Sequence, residues 1–190
     1  MTKRGIDVGR GIDVGCGIEM VAPAGVDVCR ALLDYDGVAR EVVARLKYRN
    51  ERAALGWLAE GMASLLRPPE GAVVTWVPTT GRRRRERGFD QAALLARAIA
   101  RRWRRPSVAL LRREGGTVQT GRSRVERVQG VGLVARRPRA GPVPVVIVDD
   151  VVTTGTTLCC AASALRSTGI PWVAALVAAR TPPSRQGPRG

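Results

Sequence analysis

The chain has 190 residues, 45% of them hydrophobic and only 4% aromatic, a globular composition with room for one full core built from Val, Leu, Ile and Ala. Its formal net charge is +16, carried almost wholly by arginine, since Lys3 and Lys47 are the only lysines; such a balance points to anionic partners. With no histidine, Ser-His-Asp and Cys-His catalysis, imidazole bases and histidine-bound metals are excluded, and the four cysteines (Cys16, Cys29, Cys159, Cys160) contain no Cys-x-x-Cys pair.

No apolar run is long enough to cross a membrane and no secretory signal opens the chain, so no membrane association is expected and the cytoplasm is the default compartment. Residues 1–24 begin with a tandem copy, Gly5-Ile6-Asp7-Val8-Gly9 and Gly11-Ile12-Asp13-Val14-Gly15, and read as an irregular glycine-rich extension. A domain is expected over residues 25–181, followed by a solvated Pro-, Gly- and Arg-rich tail over 182–190.

Within the domain, a short strand is expected from Val28 to Asp34. Val38, Val42, Val43 and Leu46 recur at helical spacing, which predicts a helix from Gly37 to Lys47. A second helix spans Glu51 to Leu66 and is closed by Pro68 and Pro69. A β-branched run from Ala72 to Val77 reads as a buried strand, followed by a basic loop from Thr79 to Gly88 and a helix from Asp90 to Trp103. Ser107 to Leu111 is a further candidate strand, and Arg112 to Arg127 is polar, glycine-containing and without period, as in a mobile loop. Val143 to Val148 has the unbroken apolar character of an inner parallel strand. A helix from Thr156 to Thr168, in which Cys159 and Cys160 are expected to be buried, and a strand from Trp172 to Ala179 complete the series. Strands alternating with helices predict an α/β domain with a mainly parallel sheet, whose ligands gather at the carboxyl ends of the strands.

At one such end lies Asp149-Asp150-Val151-Val152-Thr153-Thr154-Gly155-Thr156-Thr157. Adjacent carboxylates repel and call for hydroxyl donors or cations, which the vicinal hydroxyls of a ribose supply. The hydroxyl-rich turn around Gly155 opens a helix, where converging backbone N–H groups receive a phosphate. A helix cap with solvated aspartates would account for one threonine, but not for four around a glycine after an acidic pair. A Walker-type loop is disfavoured because no lysine follows the glycine. The second loop, Gly81-Arg82-Arg83-Arg84-Arg85-Glu86-Arg87-Gly88, offers forked cations suited to a pyrophosphate; a solvated basic loop or a patch for DNA backbone contacts are the alternatives, and its position at the ligand face favours the anion.

Val145 to Thr157 resembles the diphosphoribosyl-binding signature of type I phosphoribosyltransferases. With Tyr35-Asp36-Gly37 leading to Leu46-Lys47-Tyr48, Val77-Pro78 leading to Arg87-Gly88-Phe89-Asp90-Gln91, and Gln119, Arg122 and Glu126-Arg127, the chain resembles the ComF family of competence-associated, phosphoribosyltransferase-like proteins. The resemblance implies a twisted, mainly parallel sheet flanked by helices that binds 5-phosphoribosyl-1-diphosphate with Mg²⁺ held through the substrate. It implies that Asp149 and Asp150 hold the ribose hydroxyls and that Thr153, Thr154, Gly155, Thr156 and Thr157 cradle the 5-phosphate. Thr79, Thr80, Gly81, Arg82 and Arg87 would face the pyrophosphate, and Gln119, Arg122 and Arg127 would belong to a closing loop. The expected activity is phosphoribosyl transfer to a nitrogen acceptor. The alternative is a non-catalytic competence protein in single-stranded DNA uptake or recombination. Candidate partners are the diphosphate donor, single-stranded DNA or DNA-processing proteins, and a second copy of the chain. The four-cysteine zinc module common at the start of family members is missing, and Cys16 and Cys29 do not replace it.

Overall fold

The computed structural model describes residues 17–37, 39–40, 52–81, 85–86, 88–114 and 132–182. In chain order the elements are β1 (Ile18–Glu19), β2 (Val28–Asp34), α1 (Arg52–Ser64), β3 (Val73–Trp76), α2 (Gln91–Trp103), β4 (Leu111–Arg113), β5 (Leu133–Ala135), β6 (Val145–Val152), α3 (Thr156–Arg166) and β7 (Val173–Arg180). The main sheet has the order β1-β2-β7-β6-β3 and is parallel except for the short antiparallel β1. Ser107 adds a single parallel bridge outside β3, at Val74. β4 and β5 form a separate antiparallel pair.

β6 and β7 are almost continuously apolar because both of their faces are covered. Their side chains alternate between two cores, as the pleat requires. Val146, Val148 and Leu176 pack with Leu58 and Met62 of α1 and Leu95 and Ile99 of α2. Val145, Ile147 and Val177 pack on the other side with Leu158 and Leu165 of α3 and with Leu110 and Leu111. Each fully buried Leu or Ile in these layers contributes roughly 1.5–3 kcal/mol. Helices α1 and α2 therefore share one face of the sheet, and α3 with the small sheet takes the other.

That division positions the site. The connection from β3 runs through α2 on one face, whereas the connection from β6 runs through α3 on the opposite face to β7. Chain direction thus parts between two neighbouring strands, β3 and β6, and opens a crevice at their carboxyl ends.

The expected α/β class, a mainly parallel sheet flanked by helices, is observed. The differences are local. The stretch read as irregular up to Ala24 contains β1, and Met20 and Ala22 pack against the core. The candidate strand from Ser107 to Leu111 is only one bridge, because the Leu110 N–H turns back to the Val108 carbonyl (2.9 Å), with a second contact to the buried Thr75 hydroxyl (3.2 Å), and the chain passes into β4. Arg112 and Arg113, assigned to the loop from Arg112 to Arg127, belong to β4, paired with Val134 and Leu133 of a strand that three residues in a polar stretch do not announce. The strand expected to end at Val148 continues through the acidic pair to Val152, still in register with β7. Cys159 and Cys160 are half-buried rather than buried.

Of the helix predicted from Gly37 to Lys47, Gly37, Ala39 and Arg40 are helical, with the Asp36 carboxylate accepting from the Ala39 N–H (3.2 Å); the remainder lies outside the described residues. So do residues 1–16 and 183–190. No helix among the described residues is long and apolar enough to cross a membrane.

Candidate functional site

At the crevice lies a cavity of about 130 Å³ lined by the segment Val77–Thr79 after β3, Asp90–Ala92 at the start of α2, Arg113 of β4, Asp149–Val151 of β6, and Thr157 of α3. Four of the residues singled out from the sequence, Thr79, Asp149, Asp150 and Thr157, thus meet in one concavity although 78 positions separate the first from the last.

The acidic pair is held by its own backbone. Asp149 Oδ1 accepts from the Asp150 N–H (2.8 Å), and Asp150 Oδ1 accepts from the Val151 N–H (2.8 Å). Each aspartate therefore commits one carboxylate oxygen to the backbone N–H of the next residue, which fixes the orientation of both carboxyl groups. Burial pushes the Asp149 carboxyl well above the usual carboxylate range, reinforced by the negative charges of Asp150 and then Asp90. A group that adds hydroxyl donors or positive charge here would relieve that penalty.

The hydroxyl-rich turn stands beside the pair. Gly155 is the N-cap of α3 with φ of +77°, a left-handed conformation that disfavours side-chain-bearing residues. A Cβ at this position would come within 3.0 Å of the Pro23 ring, so a second constraint acts there. No side chain caps the helix at Gly155. The Thr154 and Thr156 hydroxyls lie 2.9 Å apart, and the Thr156 N–H has only a long contact (3.5 Å) to Thr154 Oγ1. The first turn of α3, with its N–H groups and dipole, therefore suits an anion. Thr153, Thr154 and Thr156 are exposed on this turn, and Thr157 is half-buried on the cavity wall.

On the other wall, Asp90 joins two loops. One carboxylate oxygen caps α2 by accepting from the Ala93 N–H (3.3 Å), and the other accepts from the Thr79 N–H (3.0 Å). Thr79 is thereby held against the end of α2. Gln91, next in sequence, is almost fully buried. Thr80 and Gly81 continue from Thr79 without lining the cavity, and Arg82 and Arg87 lie outside the described residues, as do Gln119, Arg122 and Arg127.

Asp90, Gln91 and Arg113 are cavity residues to which the sequence reading gave no role. Asp90 carried a usable signal, an aspartate immediately before an apolar-periodic helix. Arg113 carried none, because only the folding of β4 back over the sheet brings it there. Its Nε donates to the Pro78 carbonyl (2.7 Å).

Two carboxylates beside an anion-receptive turn suit a divalent ion shared with a phosphorylated sugar. No group of three or more potential metal-binding His, Cys, Asp or Glu side chains occurs among the described residues. The arrangement fits Mg²⁺, which keeps water and phosphate oxygens and takes one or two carboxylates, better than a cage of protein ligands.

No family model matches the chain. By sequence it is 28% identical over 144 residues to competence protein ComFC of Bacillus subtilis (strain 168), a match covering 74% of this chain and 58% of that protein. The chain thus spans little more than half the length of this curated relative. Among solved structures it is similar to the allosteric regulatory enzyme of purine biosynthesis, with a TM-score of 0.45 and 23% identity, over 65% of this chain and 25% of that one. The chain is thus similar in sequence to a competence protein over about three quarters of its length, and it carries a mainly parallel sheet with an acidic-pair turn at the carboxyl end of β6.

Proposed function

We propose that the chain binds 5-phosphoribosyl-1-diphosphate with Mg²⁺ in the crevice between β3 and β6. The observation that carries this reading is the convergence of Asp149, Asp150, Thr79 and Thr157 on one cavity. Asp149 and Asp150 accept from the ribose hydroxyls, the turn from Thr153 to Thr157 receives the 5-phosphate, and the chain from Thr79 onward faces the pyrophosphate. Mg²⁺, when bound, neutralises the pyrophosphate and helps it leave. With a nitrogen acceptor, the C1–O bond to pyrophosphate breaks, a C1–N bond forms, and the acceptor nitrogen loses its proton. The protein's share is positioning and electrostatic stabilisation of a C1 that turns cationic beside two carboxylates.

Calorimetry with the diphosphate donor, with and without Mg²⁺, tests the reading. Micromolar or tighter binding that needs Mg²⁺ and falls at least tenfold in Asp150→Asn is expected, since a charge-assisted bond is worth roughly 1.5–3 kcal/mol. Unchanged affinity in a folded Asp150→Asn variant overturns the assignment. Pyrophosphate release on screening nucleobases, amines and ammonia then separates an enzyme from a binding protein.

A second reading, a non-catalytic protein of DNA uptake or recombination, draws on the similarity to a competence protein and on the net charge of +16. Arg101, Arg102 and Arg104 are exposed at the end of α2. Single-stranded DNA retained on filters at low salt and lost steeply as salt rises supports it, through counterion release. No retention at low salt removes it.

A further inference from the structure

The segment just before β2 lies against α3 at both ends of the helix. Pro23-Ala24-Gly25-Val26 is a tight turn closed by the Val26 N–H on the Pro23 carbonyl (3.0 Å), with Gly25 left-handed (φ of +82°) at its third position. Gly25 rests on the middle of the helix, where a Cβ would come within 3.3 Å of the Ala162 Cβ. Asp27, one residue beyond the turn, accepts from Arg166 in the last turn of α3 and from the Val173 N–H at the start of β7 (2.8 Å). Arg166 also donates to the carbonyls of Gly25 (3.2 Å), Ile170 (3.2 Å) and Pro171 (2.6 Å). The far end of α3, the turn and the sheet are thus bound together by charge-assisted hydrogen bonds.

At the near end the contact is of a different kind. The half-buried Pro23 ring packs on Gly155, with Cγ 3.0 Å and Cβ 3.6 Å from the place a Cβ would take. Pro23 is not among the residues lining the crevice, so it reaches a ligand only through Gly155. Glycine visits left- and right-handed φ almost equally, and no side chain caps the helix at Gly155. The direction of the first N–H groups of α3 follows from the backbone angles of this residue, and a ring against its Cα restricts its departure from φ of +77°. A proline suits that duty, because its closed ring has no rotamer freedom to lose on packing. We propose that Pro23 is a positioning residue for the phosphate end of the donor, holding Gly155 in the conformation that aims the α3 N–H groups at the anion, while Asp27 and Arg166 keep the turn seated. This rests on the function proposed above and adds to it a support from a segment outside the site.

Titration calorimetry of the full chain with two probes tests the proposal: ribose 5-phosphate, and inorganic pyrophosphate with Mg²⁺. Pro23→Ala removes the part of the ring nearest Gly155, and Asp27→Asn loosens the same turn from the far end of α3; thermal melts establish that both are folded and how far each is destabilised. In Pro23→Ala, ribose 5-phosphate affinity should fall about fivefold or more while pyrophosphate affinity stays within about twofold. Asp27→Asn should lower Tm and leave both affinities within about twofold. Ribose 5-phosphate affinity unchanged in folded Pro23→Ala overturns the role of Pro23. An equal loss for pyrophosphate also overturns it, because the substitution would then act on the whole crevice. So does an equal loss in Asp27→Asn, which would show that any loosening of the turn suffices. A wild-type protein that binds neither probe refutes the site itself and this inference with it. A wild type that binds both, and loses ribose 5-phosphate in Asp150→Asn but not in Pro23→Ala, leaves the site standing and refutes Pro23 alone.

Discussion

Asp90 is the side chain through which stability and the site are most directly coupled, and Asp90→Ala exposes that coupling. The substitution deletes the cap of α2, worth about 1 kcal/mol, and the charge-assisted bond to the Thr79 N–H, worth roughly 1.5 kcal/mol at a half-buried position. Some of this is returned, because removing Asp90 takes one negative charge away from the strained Asp149 carboxyl. A net loss of about 2 kcal/mol is expected, and for a chain of this size that lowers Tm by roughly 4–8 °C. Asp90→Asn retains one acceptor oxygen in place of two, so it keeps either the cap or the Thr79 bond and should lose about half as much. Chemical denaturation gives both differences, and donor calorimetry follows the release of Thr79. A Tm for Asp90→Ala within about 1 °C of wild type would refute the reasoning, since the cap bond alone is worth more. An asparagine variant as unstable as the alanine one would show that charge, rather than the two acceptor oxygens, holds the loops together.

Asp149→Asn should stabilise the protein while abolishing donor binding. The folded-state pKa of Asp149 lies above its unfolded value near 3.8, so its contribution to stability is fully present below that value and is lost as pH rises through the folded pKa. Denaturation midpoints of wild type and variant should therefore converge near pH 4 and separate in favour of the variant by pH 8; parallel curves contradict the buried charge. Gly155→Ala should cost about 1–2 kcal/mol for placing Ala in a left-handed conformation, together with the clash on Pro23. Combining it with Pro23→Ala should recover the clash but not the backbone cost, which urea titrations of the single and double variants measure. Cys29 is buried, and that burial, only partly countered by Arg30, pushes its thiol up to about 11, so roughly one thiol in a thousand is ionised at pH 8. Alkylation followed by peptide mass spectrometry should reach the half-buried Cys159 and Cys160 well before Cys29, and equal rates would contradict the packing of β2.

Local sequence determined much of this protein. Unbroken apolar runs such as Val145–Val148 specify inner strands because both faces of a parallel sheet are covered, and helical spacing specifies α1 and α2. The acidic pair, the threonines and Gly155 are contiguous, so the chemistry of that turn is written in one stretch of chain. What tertiary structure alone decided is which distant residues share the crevice. The departures of α2 and α3 from neighbouring strands onto opposite faces of the sheet create the opening, and Asp90 closes one of its walls by bonding to Thr79 eleven positions earlier. Arg113 enters because the chain turns at Leu110, whose N–H bonds back to the Val108 carbonyl, and β4 pairs with β5 across a long sequence gap. Periodicity registers which face of an element is buried but not which other element lies against it, and β4 and β5, at three residues each, are too short to register at all.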